Sequence, residues 1–266
     1  MLLARCLCAP VVFALLAGCA RSDDRDLPPP RHYLIDFGGA PEKSPGLHTT
    51  GHLLVFNPGP KQATLDILIY FEDREPRHLE RLAAPAQTTE TNSLDWGMPQ
   101  GQRFAVEVHS DEPVVCQATI GWTNTGGDYS PGAKASSPRG IRETAKSYMA
   151  IRSLAKRMRI ADGLVLDGPA NLWIRESEWA LVLNPGDVSA HVVLSMLGVG
   201  WKREYAVDVP ARRLRVLYMD DIAPRNQHYG VDFTSDQPVA TQWVREVRWY
   251  DSSEMMAFWS VPGVPD

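Results

Sequence analysis

The sequence predicts an all-β protein built from two tandem antiparallel β-sandwich domains. Three observations predict it. The stretches His52-Leu53-Leu54-Val55-Phe56-Asn57-Pro58-Gly59 and Trp179-Ala180-Leu181-Val182-Leu183-Asn184-Pro185-Gly186 are near copies of one another. Each is a short apolar run closed by Asn-Pro-Gly, where Pro fixes φ and Gly takes a positive one, so each reads as a buried strand entering a turn. Runs rich in β-branched and aromatic residues recur about every 8–12 residues with turn residues between them, the spacing of a sandwich or barrel. Finally, the likeness of the two stretches extends in register far beyond the turns.

That register can be followed along the chain. Asn57 and Asn184 are 127 residues apart, and the same spacing relates Ala63 to Ala190, Leu65 to Val192 and Ile67 to Leu194. Two residues are lost in the hairpin between Tyr70 and Glu80, and the spacing becomes 125. Pro85-Ala86 then meets Pro210-Ala211, Asp95 meets Asp220, and Phe104, Val106 and Val108 meet Tyr229, Val231 and Phe233. Ser110-Asp111-Glu112-Pro113-Val114 meets Ser235-Asp236-Gln237-Pro238-Val239, and Gln117 meets Gln242. A hairpin tip tolerates such an indel, and unbroken spacing elsewhere marks a tandem duplication.

Taken in order, residues 1–18 hold one charge, Arg5, and an apolar run from Leu7 to Leu16 that is too short to span a bilayer, which is the pattern of a signal peptide. Leu16-Ala17-Gly18-Cys19 resembles the bacterial lipobox, and by that resemblance Cys19 is the lipid attachment residue. The plain alternative is a secretory signal with Cys19 incidental. Ala20, where an acidic retention signal would stand, points to the outer membrane facing the periplasm. Residues 19–31, ending in three prolines, form an extended tether. The expected sandwiches are residues 32–152 and 153–266.

In the first sandwich, Tyr33-Leu34-Ile35 and Leu53–Phe56 read as strands, and Ala63–Phe71 is too long an apolar stretch for an exposed edge. Glu72-Asp73-Arg74-Glu75-Pro76 reads as a solvated hairpin tip. Leu94 continues the pattern, and Val106 and Val108 alternate with Ala105 and Glu107 as in a half-buried strand, followed by Val114–Ile120. Gly126–Gly132 is a linker. From Lys134 to Arg159 eight Lys/Arg face one acid, Glu143. This basic stretch reads as a solvated linker or, more sharply, as a contact with anionic lipid headgroups. Ile141, Ala145, Tyr148, Ile151, Ala155 and Met158 also fit a helical stripe, an alternative to a closing strand at Lys146–Ile151.

Composition narrows the function classes. The formal charge of -5 becomes -6 without residues 1–18, which argues against a nucleic-acid binder. Of the four cysteines, Cys6, Cys8 and Cys19 lie in the first twenty residues, so Cys116 has no disulfide partner and reads as a small buried hydrophobe. The chain lacks His-Glu-x-x-His, Gly-x-Ser-x-Gly, a P-loop and a dinucleotide fingerprint, and no catalytic residue, metal or cofactor is expected. His48 and His52 lead into a strand and do not share a helix face, and Asp220-Asp221 reads as a pair of carboxylates on the surface, pointing apart. Binding is the better expectation. Trp201 lies in the second hairpin, while Trp243 and Trp249 flank Arg245 and Arg248. In a strand Trp243 and Arg245 share a face, and aromatic rings beside charged donors suit sugar-like ligands. Equally, Trp243 can fill the core or a seam between the copies, and Gln117 and Gln242 can satisfy buried backbone groups.

At these residues a family resemblance is visible. Each copy resembles the soluble sensory rhodopsin transducer family of cyanobacteria. The likeness is greater in the second copy, through Leu181–Asp187, Ala190-His191-Val192, Val209–Arg213, Val231-Asp232-Phe233, Pro238-Val239 and Gln242–Arg245. The first copy contributes Tyr70–Pro76, and Gly121-Trp122 stands where it would need the Arg-containing segment. The resemblance implies antiparallel sandwiches like carbohydrate-binding modules that assemble as homotetramers, so a dimer of this chain would give four sandwiches. It leads to the expectation of a lipid-anchored, non-enzymatic binding or sensory accessory module for a carbohydrate-like molecule or a partner protein. The competing class is a structural envelope lipoprotein that assembles only with itself.

Overall fold

Period-two alternation of inward apolar and outward polar side chains builds two sandwiches, one after the other. A computed structural model describes residues 31–38, 47–79, 81–94, 102–124, 142–166, 174–249 and 255–265. In the first sandwich, β1 (Arg31–Gly38), β3 (Ala63–Tyr70), β4 (Arg77–His78), β5 (Leu82–Ala84) and β7 (Arg103–Ser110) form one sheet, ordered β1-β7-β3-β4 with β5 also on β3. Its partner sheet is ordered β6-β2-β8-β9, from β2 (Leu47–Asn57), β6 (Thr88–Ser93), β8 (Val115–Asn124) and β9 (Arg142–Met149). Leu53, Val55, Leu65, Ile67, Ile69 and Ile120 fill the space between them and are fully buried.

The second sandwich repeats the plan with one simplification. β10 (Ala155–Leu164), β12 (Ala190–Gly198) and β13 (Trp201–Val209) build one sheet, and β11 (Ile174–Asn184), β14 (Arg213–Tyr218) and β16 (Met255–Pro262) build the other. β15 (His228–Trp249) runs through both: its first part pairs with β10 and β12, its second with β11 and β16. It thus does the work of β7 and β8 in one strand. β17 (Val264–Pro265) closes against β10. Val192, Leu194, Phe233 and Trp243 belong to this core.

The duplication read from the sequence is reproduced in the hydrogen-bonded register. Leu53 pairs with Ala118 and Val55 with Cys116 in the first copy; Ala180 pairs with Trp243 and Val182 with Thr241 in the second. Leu65 opposite Ser110 becomes Val192 opposite Ser235, and Ala63 opposite Ala84 becomes Ala190 opposite Val209. These are the spacings of 127 and 125 carried into three dimensions.

The Asn-Pro-Gly corners are keystones of the turns. Asn184, fully buried, donates through Nδ2 to the carbonyls of Val188 (2.8 Å), Val209 (3.0 Å) and Pro210 (3.2 Å), while its Oδ1 accepts the Gly186 N–H (3.0 Å). Asn57 does the same with Lys61 and Ala84 carbonyls and the Gly59 N–H. One side chain therefore holds backbone groups of two segments together at the corner. Asn184→Ala should cost about 2 kcal/mol, the penalty of leaving such buried groups unmet, read as a lower urea midpoint with an unchanged slope. A midpoint equal to the wild type would show the contacts to be dispensable.

Four expectations are corrected or refined here. Residues 142–149 form a strand, β9, paired along β8, so the helical alternative does not hold; the strand also begins before Lys146. β7 is covered on both faces, because Ala105 packs in the cluster shared with the second sandwich and Glu107 is buried under Tyr70, whose hydroxyl it accepts. The hairpin tip at Glu72–Pro76 is not merely solvated, since Glu72 pairs with Arg215 (3.1 Å) and Glu75 with Arg213. Cys116 is a buried free thiol whose pKa burial pushes up to about 12, as befits a small hydrophobe.

Candidate functional site

Strand parity brings Trp243 and Arg245 to one face of β15, and that face is the interior. Trp243 is 2% exposed, edge-on to Tyr229 (6.2 Å between centroids) and Phe233 (6.5 Å). Arg245 is 6% exposed and grips Oε1 of Glu178 through Nε (2.7 Å) and Nη2 (2.6 Å). The other oxygen of Glu178 accepts the Tyr229 hydroxyl (2.7 Å) and the Leu164 N–H (2.9 Å). Burial and the adjacent Glu178 charge hold the Tyr229 hydroxyl far above its usual pKa, so it stays a proton donor. The Trp/Arg pair is therefore spent inside the sandwich, a core aromatic beside a closed buried ion pair, and presents no platform to a ligand.

Trp201 is half-buried, its ring 6.0 Å from that of Tyr229. Two glycines make room for this stack. A Cβ on Gly198 would stand 2.2 Å from the Trp201 ring, and one on Gly163 would stand 2.3 Å from that of Tyr229. Trp249 pairs with Ile174 at the end of β15, and its side chain lies outside the described residues, as does Cys19. Asp220 is buried and not on the surface. It is 6% exposed and accepts hydrogen bonds from Tyr218 Oη (2.7 Å), Ser177 Oγ (3.1 Å) and the Glu178 N–H (3.1 Å). Among the described residues, no three His, Cys, Asp or Glu converge to hold a metal ion.

Sequence reasoning missed the second polar centre, which lies between the sandwiches. Tyr33, Ile35, Tyr70 and Ala105 of the first pack on Leu181, Leu183, Leu214, Ala240 and Val244 of the second. Into this apolar seam Arg103 inserts its guanidinium, bonded to Asp36 and to Glu246 (2.5 Å) and lying 4.6 Å above the Trp179 ring. Asp36 and Glu246 are fully buried. Burial opposes the Arg103 charge, yet the two carboxylates more than offset it and its pKa is raised. At the rim the Leu214 N–H donates to the Phe71 carbonyl (3.0 Å), so the first copy's hairpin caps edge strand β14. The sequence signal was present: Asp36, Arg103 and Glu246 each stand among apolar strand residues.

Fold and site together define a class: an antiparallel tandem sandwich with one buried Arg–carboxylate centre inside the second copy and another in the seam between the copies. The family resemblance read from the sequence holds, for a family model described as Anabaena sensory rhodopsin transducer matches residues 30–124. The matched stretch is the first copy, although the residues quoted above placed the greater likeness in the second. Among solved structures, Thermotoga maritima 1070 is similar at 18% identity, over 42% of this chain and 95% of that one, with a TM-score of 0.37. The Anabaena sensory rhodopsin transducer is similar at 22% identity, over 34% of this chain and 94% of that one, with a TM-score of 0.28. A Bacteroides uniformis beta-glucuronidase aligns at 9% identity, over 90% of this chain and 26% of that one, with a TM-score of 0.18. No curated protein matches the chain.

Proposed function

We propose that this chain is a non-enzymatic relay module, held to the outer membrane through Cys19 and docking a partner protein. The transducer family matched by residues 30–124 supports the relay reading. The observation that favours a protein over a carbohydrate-like ligand is where the chemistry lies. The aromatic and charged groups suited to gripping a small molecule, Trp243, Arg245 and Glu178, are buried, and Arg245 and Glu178 are paired with each other. By contrast, Phe56 (43%), Met149 (52%) and Leu197 (47%) are large apolar side chains left exposed on strands, and exposed apolar surface is what protein contacts use.

In-cell photocrosslinking tests this reading, with a photoreactive residue placed at Phe56 or at Leu197. An adduct with one distinct protein is the expected result. Adducts only with a second copy would favour the self-assembling structural alternative. A glycan that raises the melting temperature of the wild type but not of Trp201→Ala would favour the carbohydrate reading. The anchor is tested separately: Cys19→Ser should release the protein from membranes, and undiminished membrane retention would remove that part of the proposal.

A further inference from the structure

Duplication gives each sandwich both of the faces that meet in the seam, but the seam uses only one face of each. The first copy contributes the outer face of β1-β7-β3, and the second contributes the outer face of β14-β11-β15. Such a contact joins unlike faces, so the two unused faces are in principle complementary and would join further chains into a ring or filament. Because the two copies share one register, the unused faces can be read against the used ones position by position.

The comparison shows that both unused faces have lost the polar pairing that locks the seam and part of its apolar lining. Where the second copy presents Leu214, Val216 and Val244, the first has Thr89, Thr91 and Thr119, at the same pairings with β2 and β8 as the others have with β11 and β15. Glu246, which receives Arg103, becomes Gly121, and Trp179, which lies under the guanidinium, becomes His52. On the other side, Tyr33 and Tyr70 become Arg159 and Leu197, and Arg103 itself becomes the exposed His228. Arg159 is 58% exposed and sits beside Asp232 (3.8 Å), where Tyr33 is buried at 3% in the seam. Leu54, Phe56 and Val115, the equivalents of Leu181, Leu183 and Ala240, keep apolar area on the unused pair, but the buried cation with its carboxylate acceptor and the ring beneath it are absent. Threonines and an arginine interrupt the apolar lining there, which is how β proteins discourage unwanted sheet contacts.

We propose that the fused chain is a self-terminating pair: the seam is a head-to-tail contact confined within one chain, and its two duplicate faces have been made non-adhesive so that a second copy does not add. This goes beyond the docking reading and does not depend on it. The homodimer of four sandwiches implied by the family resemblance is, on this inference, not formed through these faces.

Sedimentation of the full chain carrying Cys19→Ser tests it against a variant in which the adhesive residues are restored on both faces: His52→Trp, Thr89→Leu, Thr91→Val, Thr119→Val and Gly121→Glu with Arg159→Tyr, Leu197→Tyr and His228→Arg. The expected result is a monomer for the first protein over a wide concentration range, and at least a doubled mass for the restored one. A restored variant that folds, by its circular dichroism, and stays monomeric overturns the proposal. So does self-association of the unrestored chain that Thr119→Arg or Arg159→Glu abolishes. Restoring one face at a time guards against misfolding, because each half-restored chain should remain monomeric alone and the two should pair one-to-one when mixed; failure of that mixture to pair also overturns it.

Discussion

Replacing Arg103 with Met is expected to cost about 3–5 kcal/mol, because it takes from two buried carboxylates the cation they share. Asp36 and Glu246 are fully buried, one from each sandwich, and Arg103 is bonded to both. A buried ion pair contributes little net stability over a hydrophobic equivalent, since desolvation offsets its attraction; removing one member is what destabilises. The effect should therefore be strongly non-additive. Asp36→Asn with Arg103→Met and Glu246→Gln should be more stable than Arg103→Met alone, and Asn suits the positive φ of 80° at position 36. Arg103→Lys should recover only part of the loss, because an ammonium lacks the planar fork that reaches two carboxylates while stacking on Trp179. Urea denaturation of the four proteins decides the matter. Equal midpoints for Arg103→Met and the triple variant would mean that uncompensated charge is not the source of the cost.

The same residue shows what was legible in the sequence and what was not. Strands and their pairing follow from period-two alternation and the Asn-Pro-Gly corners, local signals that survive duplication; hence the register could be written down before any coordinates. The position of a face relative to a second sandwich is not local. Val106 and Val108 declare their own side buried, but nothing in Ala105 says that another sheet covers it. Parity likewise puts Trp243 and Arg245 on one side without saying which side is inward. What would have said so is the pair Glu178 and Arg245 standing where the first copy has Gly51 opposite Ile120. An acid and a base that replace a packed apolar pair at one register position belong to an interior more readily than to a ligand site.

The largest pH effect should come from His32. It occupies the place on β1 that Met158 has on β10: His32 stands opposite Val108 as Met158 stands opposite Phe233. In the second copy Thr241 Oγ1 donates to the Met158 sulfur at 3.4 Å. In the first copy the position equivalent to Thr241 is Cys116, and both ring nitrogens of His32, 1% exposed, are without a hydrogen-bond partner. Burial, helped by the nearby Arg152 charge, lowers its pKa to about 4 from 6.5. Between these values the unfolded chain binds a proton that the folded chain refuses, so stability rises with pH. The contribution is complete above pH 6.5 and is lost as pH falls toward 4, by about 3 kcal/mol in all at 1.36 kcal/mol for each pKa unit. His32→Met, which installs the second copy's own solution, should remove this slope while leaving that of the carboxylates. Melting temperatures of the two proteins should therefore diverge below pH 6.5, the variant holding the advantage; parallel curves down to pH 4 would show that His32 is not the group that titrates.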